Sequence, residues 1–181
     1  MASREIEPIV SASLPKADDV AKVLVSGCIN GEPIRYNQTN VEVVSPIWDR
    51  WVAEGRVVHF CGELAAGMPI PRPPAEILGG DGLTVFAGGA LVIEDDGSDV
   101  TDLFMTGAAL TVAHALKEGC VAAVLTDGSP SCGSTYIYNG GFDGGTAPGT
   151  GVVAQALIDA GIAVFPEDQL EQADAFLRRA S

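Results

Sequence analysis

Apolar residues in this chain come in two patterns: short unbroken runs, and longer segments where they recur at helical spacing. Lys22-Val23-Leu24-Val25, closed by Gly27, is short and rich in β-branched residues, and predicts a buried strand over 22–27. Arg56-Val57-Val58-His59-Phe60 predicts a second strand over 56–60. Val121-Ala122-Ala123-Val124-Leu125 predicts another over 121–126, and Ile162 to Phe165 a short last one. Val44, Ile47, Trp48 and Trp51 share one helical face and predict a helix from about Asn40 to Ala53, stopped by Gly55. Pro46 lies inside that span, so a start near Ser45, with proline at the first helical position, is the alternative. Asp99 or Thr101 caps a helix that runs to Glu118 and stops at Gly119. Two further helices are predicted over about 150–160 and 167–179.

Other segments lack a clear period. Residues 83–94 alternate loosely and end in Asp95-Asp96-Gly97, which predicts a hairpin or short edge strands. Gly67 to Glu76 carries four prolines, which rules out a helix interior or a central strand and predicts a rigid loop. Residues 1–20 mix charge with proline and read as an N-terminal extension to a domain spanning 21–181. Strands alternating with helices imply an α/β fold: a single-domain three-layer sandwich around a mainly parallel sheet. No internal repeat or interdomain linker is visible.

The strand pattern gives three of the four cysteines a common address. Cys28, Cys61 and Cys132 each fall just past the carboxyl end of a predicted strand, the edge where open parallel sheets bind ligands. Three thiols converging there suggest a metal site with three protein ligands and one open position. Cys120 follows Gly119 at the amino end of its strand, on the opposite edge, and reads as a buried structural thiol. No Cys-x-x-Cys pair exists, so a small zinc knuckle is not indicated. Zinc and a [4Fe–4S] cluster both suit soft thiolates. His59, two residues before Cys61, is the candidate fourth ligand; the competing reading is a packed histidine within the strand. His114, on a predicted helix, reads as surface or core.

Composition narrows the partners. The chain has 181 residues, enough for one domain with a real core, and no apolar run approaches the ~20 residues needed to span a bilayer. The N-terminus lacks the basic start and apolar stretch of a secretory signal, so a cytoplasmic location is expected. Thiols stay reduced there, which favours metal binding or catalysis over disulfides. The net charge of −14 is explained most simply by solubility or by adaptation to salt. It also argues against a nucleic-acid polymer and an anionic membrane surface, and leaves small molecules in front.

Several motifs then point further. Ser26-Gly27-Cys28-Ile29-Asn30-Gly31-Glu32-Pro33-Ile34-Arg35-Tyr36, Phe60-Cys61-Gly62-Glu63, Pro71-Arg72-Pro73-Pro74-Ala75-Glu76, Gly79-Gly80-Asp81-Gly82, Asp99-Val100-Thr101 and Ser129-Pro130-Ser131-Cys132-Gly133 follow one another in order. Together they resemble the thiouracil desulfidase family, from about residue 21 to the C-terminus. The resemblance implies a [4Fe–4S] cluster bound by Cys28, Cys61 and Cys132 only, with one open iron. It implies non-redox removal of sulfur from a thiolated uracil, giving uracil and hydrogen sulfide, by an enzyme describable as a desulfurating hydrolase or lyase. It assigns catalytic assistance to Glu63 and Ser129.

This chain departs from the family pattern at two places. Gly62 stands where the family usually has proline, which predicts looser placement of Glu63. Thr126-Asp127 stand where a lysine is common, which predicts altered substrate preference or weaker recognition of anions.

The implied chemistry pairs a soft Lewis acid with a thiocarbonyl sulfur, with Glu63 taking a proton from the attacking water and Ser129 donating a hydrogen bond or relaying a proton. Glu32, Arg35, Tyr36, Arg72 and Glu76 lie in loops on the same predicted edge; Arg35 or Arg72 is a candidate for a pyrimidine carbonyl and Tyr36 for stacking. The Gly-rich run Gly140 to Gly145 reads as a mobile lid or a set of backbone amides for an anion or polar ring edge. The rival readings are a non-catalytic Fe–S or zinc sensor or sulfur carrier, and a cluster-dependent dehydratase. A dehydratase acting on hydroxy acids would collect arginines for carboxylates, whereas this chain has few Lys and Arg, which favours a neutral thiobase. A homodimer is compatible with the sequence, which does not set oligomeric state.

Overall fold

A computed structural model describes residues 20–180. The expected extension over 1–20 lies outside them, apart from Val20, which is buried. In chain order the elements are β1 (Lys22–Ser26), a 3-10 turn (Gly27–Asn30), α1 (Pro46–Ala53), β2 (Val57–Phe60), α2 (Gly62–Ala65), β3 (Ala75–Leu78), α3 (Gly82–Phe86), β4 (Leu91–Glu94), α4 (Thr101–Glu118), β5 (Cys120–Leu125), β6 (Tyr136–Tyr138), β7 (Thr146–Pro148), α5 (Val152–Asp159), β8 (Ala163–Pro166) and α6 (Leu170–Ala180). The four strands read from apolar runs form one sheet, ordered β2-β1-β5-β8 and parallel throughout.

Strand alternation divides the core in two. Val23, Val25, Ala122 and Val124 pack with Trp48 and Trp51 of α1 and with Leu170, Ala173 and Leu177 of α6. Leu24, Ala123 and Leu125 point the other way, onto Phe104, Ala108 and Ala115 of α4 and Val153, Ala154 and Leu157 of α5. Both faces are therefore covered, which is why these strands appear in the sequence as unbroken apolar runs. The result is the expected three-layer α/β sandwich. No helix among the described residues is long and apolar enough to cross a membrane.

Helix α1 starts at the later of the two expected positions. Ser45 Oγ accepts the amides of Ile47 and Trp48 at 3.1 and 3.2 Å, and Pro46 is the first helical residue. Asp174 of α6 then ties the two helices on that face together. It accepts the Trp51 indole N–H at 2.9 Å and pairs with Arg50 and, at 2.7 Å, with Arg178.

The loosely alternating stretch 83–94 differs from expectation. Its first part is the short helix α3, because Asp81 caps it by accepting the Thr84 amide at 3.1 Å. Only β4 at its end is a strand. Its antiparallel partner is β3, which begins directly after Pro74, beyond α3 and at the end of the segment read as a rigid loop. Proline kept this strand out of the central sheet but not out of a two-stranded ribbon. A second ribbon, β6 with β7, rises from the Gly-rich region. Its strands, at three residues each, are too short to show a period.

The order β2-β1-β5-β8 puts a topological switch between β1 and β5. The chain leaves β1 toward one edge of the sheet and β5 toward the other, which opens a crevice past their carboxyl ends.

Candidate functional site

A cleft of about 410 Å³ occupies that crevice, a size suited to a small-molecule ligand. Cys28, Cys61 and Cys132 all line it, and so do Glu63, Ser129, Arg35, Tyr36, Arg72 and Glu76. Cys28 lies in the 3-10 turn after β1. Cys61 sits between β2 and α2, and Cys132 in the loop after β5. Cys120 is buried at the start of β5, paired in register with Lys22 at the far edge of the sheet, and burial pushes its thiol up to about 11. His59 is exposed on the edge strand β2 and is not among the residues lining the cleft; Cys61 has already left that strand to open α2. His114 stacks on Phe60 at 4.5 Å between ring centroids, behind the cleft wall.

Burial raises all three cleft thiols above their ordinary value. For Cys28, Thr126 and Arg35 partly oppose that rise; for Cys61, the amide of Leu64 and the charge of Arg72 do so. Cys132 is raised most, by burial and then by negative charge at Cys28, Glu63 and Cys61, against a hydrogen bond from Ser26. Among the described residues, no three His, Cys, Asp or Glu side chains converge as a single metal ion requires. Cys28, Cys61 and Cys132 line one cleft without forming such a group. Three soft sulfurs, each approached by a hydroxyl or amide donor, suit a soft, multinuclear metal group that holds them as thiolates.

Glu63, in the first turn of α2, is held by Arg72. The guanidinium Nε donates to Glu63 Oε2 at 2.7 Å and Nη2 approaches the same oxygen at 2.5 Å, while Nη1 donates to the carbonyls of Pro69 and Ile34 at 3.2 and 3.4 Å. Arg72 thus has no free nitrogen for a substrate, and Glu63 Oε1 has no partner among the described residues. Gly62 does not loosen this arrangement. A Cβ there would lie 2.6 Å from Thr111 Oγ1 and 2.8 Å from the Gly107 carbonyl, so α2 and α4 touch backbone to backbone and fix the turn that carries Glu63.

Ser129 Oγ accepts the amides of Ser131 and Cys132, both at 3.1 Å. The carbonyls of Pro130 and Ser131 in turn accept the first amides of α5. Gly133 closes the loop where a Cβ would meet the carbonyls of Tyr136 and Ser129 at 2.6 and 2.7 Å. The Ser-Pro-Ser-Cys-Gly run is therefore a rigid turn that delivers Cys132, with the Ser129 hydroxyl proton still free to donate.

The remaining candidates separate. Glu76 Oε2 accepts the amides of Gly140 and Phe142 at 2.9 and 3.1 Å, which anchors the Gly-rich loop. Two of that loop's other amides donate to Asn139 and Asp143 within it. Arg35 is close enough to Cys28 to favour its thiolate and makes no ion pair among the described residues. Tyr36 is partly exposed at the cleft mouth, and its carbonyl accepts the Arg72 amide at 3.0 Å.

Ser26, Tyr136, Tyr138 and Glu167 also line the cleft without a signal read from the sequence, and Thr126 and Asp127, read there only as a departure from the family pattern, line it too. Glu167 follows β8 at the same sheet edge as the cysteines, so the strand-end rule would have found it. Asp127 organises the loop beside it, accepting the amides of Ser134 and Thr135 at 2.7 and 3.0 Å, while its own amide donates to Glu167 at 2.8 Å.

A parallel α/β sheet with a thiol-lined cleft at its switch point defines an α/β protein with a small-molecule site. Comparison with known proteins gives the family. Residues 23–169 match the model of the 2-thiouracil desulfurase family, and the chain belongs to that family. An uncharacterized protein of Bacillus subtilis (strain 168), YbbK, is 43% identical over 148 residues, covering 82% of this chain and 97% of that protein. The solved structure of the [4Fe-4S]-dependent thiouracil desulfidase TudS is similar with a TM-score of 0.76 at 42% identity, covering 88% of this chain and 97% of that one.

Proposed function

We propose that this protein is a [4Fe–4S]-dependent thiouracil desulfidase that converts thiouracil and water to uracil and hydrogen sulfide without net redox change. The observation that carries the reading is the gathering of Cys28, Cys61, Cys132, Glu63 and Ser129 around one cleft at the sheet's switch point. The three cysteines would hold the cluster, in a domain spanning residues 21–181. When bound, the cluster supplies a soft iron site matched to a thiocarbonyl sulfur.

The chain's own residues supply the rest. Arg72 aims Glu63 and neutralises it at Oε2, leaving Oε1 to take a proton from the water that adds to the thiocarbonyl carbon. The Ser129 hydroxyl, with its oxygen pinned by two amides, donates toward the ring or the departing sulfur. Arg35 offers a guanidinium to a ring carbonyl. All three tyrosines of the chain, Tyr36, Tyr136 and Tyr138, line the cleft and offer faces to an aromatic ring.

Two arginines stand on the wall against four carboxylates, Glu63, Glu76, Asp127 and Glu167. That balance favours an uncharged thiobase or nucleoside over a phosphorylated one, and it disfavours a nucleic-acid polymer. Thiolate ligands need a reducing compartment, so the cytoplasm is the proposed location.

The test is turnover by anaerobically reconstituted protein, followed as loss of thiocarbonyl absorbance with release of sulfide. Glu63→Gln should lower kcat by about 10²–10⁴-fold while the protein stays brown. A brown wild type that turns over no thiopyrimidine would refute the proposed reaction.

A further inference from the structure

Two buried hydroxyls meet the cleft sulfurs, and the reaction above uses neither. Ser26 ends β1 and Thr126 follows β5, on adjacent strands at the switch point. Thr126 Oγ1 lies 3.0 Å from Cys28 Sγ. Ser26 Oγ donates to Cys132 Sγ at 3.4 Å and accepts the Thr126 amide at 3.3 Å. The two residues are 4% and 5% exposed. Most buried hydroxyls are hydrogen-bonded, and here a sulfur fills that role for both.

A neutral thiol is a weak acceptor, whereas a metal-bound thiolate is a charged and stronger one. Once Cys28 has lost its proton, the direction of its bond is decided: Thr126 must donate. The Thr126 amide polarises Ser26 along the second chain, which strengthens the bond to Cys132. Cys61 is treated differently, with backbone amides of Leu64 and Glu63 directed at it.

We infer that Ser26 and Thr126 are positioning residues that set the electron density on two of the three cluster thiolates through these hydrogen bonds. The inference rests on the proposed reading that the three cysteines carry a cluster. Hydrogen bonds to ligand sulfurs are among the main controls of Fe–S potentials, because they stabilise the more negative, reduced state. In a reaction without net redox change, the same bonds would govern how strongly the thiolates donate to the metal, and the potential reports that donation.

The experiment is potentiometric titration of reconstituted protein, read by electron paramagnetic resonance of the reduced cluster, for wild type, Thr126→Val, Thr126→Ser and Ser26→Ala. Thr126→Val and Ser26→Ala should move the midpoint potential to more negative values. Thr126→Ser, which keeps the hydroxyl, should leave it at the wild-type value. Should Thr126→Val take up no iron, resonance Raman in D₂O gives an independent reading: the Fe–S(Cys) bands should shift on exchange in wild type and Thr126→Ser, and shift less in Ser26→Ala.

Unmoved potentials in the loaded variants, or a Thr126→Ser potential displaced as far as that of Thr126→Val, would overturn the inference. Equal exchange shifts in wild type and Ser26→Ala would do the same. These results would leave the proposed function standing. A wild type that takes up no cluster would remove both.

Discussion

Arg72→Met tests whether the buried guanidinium is what holds Glu63 in place. The side chains of the pair are 5% and 15% exposed, so both charges have lost most of their water. Removing the cation leaves a nearly buried carboxylate without compensation, and breaking such a pair from one side costs about 3–5 kcal/mol. Two carbonyls, of Ile34 and Pro69, also lose their donor. Arg72→Lys keeps the charge but not the fork of nitrogens, and should cost less. Glu63→Gln removes the charge itself, so the double variant Glu63→Gln/Arg72→Met should be more stable than the two single losses added together, by about 2 kcal/mol.

The assay is guanidinium unfolding of the apo protein followed by fluorescence of Trp48 and Trp51, which are buried between the sheet and α6. Turnover of the loaded protein should fall with Arg72→Met, because Glu63 loses its orientation. An Arg72→Met variant within about 1 kcal/mol of wild type, or strict additivity in the double variant, would refute the reasoning.

Three further predictions follow from other contacts. Gly62→Ala should cost about 1–3 kcal/mol in the same unfolding assay, since the new Cβ meets the Gly107 backbone, which cannot swing aside. Asp174→Asn should lower stability at pH 7 by about 2 kcal/mol. Burial opposes the Asp174 charge, but hydrogen bonds from Trp51, Arg50 and Arg178 outweigh it and hold the carboxyl below its ordinary value. Its contribution is therefore present above the unfolded value of about 3.9 and is lost as pH falls through the folded one, so wild-type and Asp174→Asn melting temperatures should converge below about pH 4. Cys120→Ala should leave iron content after reconstitution unchanged, because Cys120 sits at the opposite end of β5 from the cleft.

The sequence by itself determined the strands of the sheet and the end of them at which the thiols lie. Strands buried on both faces leave unbroken apolar runs, and the residue that follows such a run lies at a known sheet edge. That rule alone groups Cys28, Cys61 and Cys132 and sets Cys120 apart. The same rule applies to Glu167, although a glutamate carries less chemical signal than a cysteine.

Tertiary structure alone decided what the polar residues do. Arg72 and Glu76 read as substrate-binding candidates because charge at a sheet edge is conspicuous, yet Arg72 is bonded to Glu63 and Glu76 to the amides of Gly140 and Phe142. Gly62 read as a loosening of the site and is a point of backbone contact with α4. Strand β3, the ribbon β6–β7 and the short α2 and α3 stayed hidden because three to five residues cannot display a period. Ser26 and Thr126 are separated by 100 positions, and only the pairing of β1 with β5 brings their hydroxyls to the sulfurs. Periodicity is a local property and survives in the sequence; hydrogen-bond partnership depends on which strands become neighbours, and that is settled by packing.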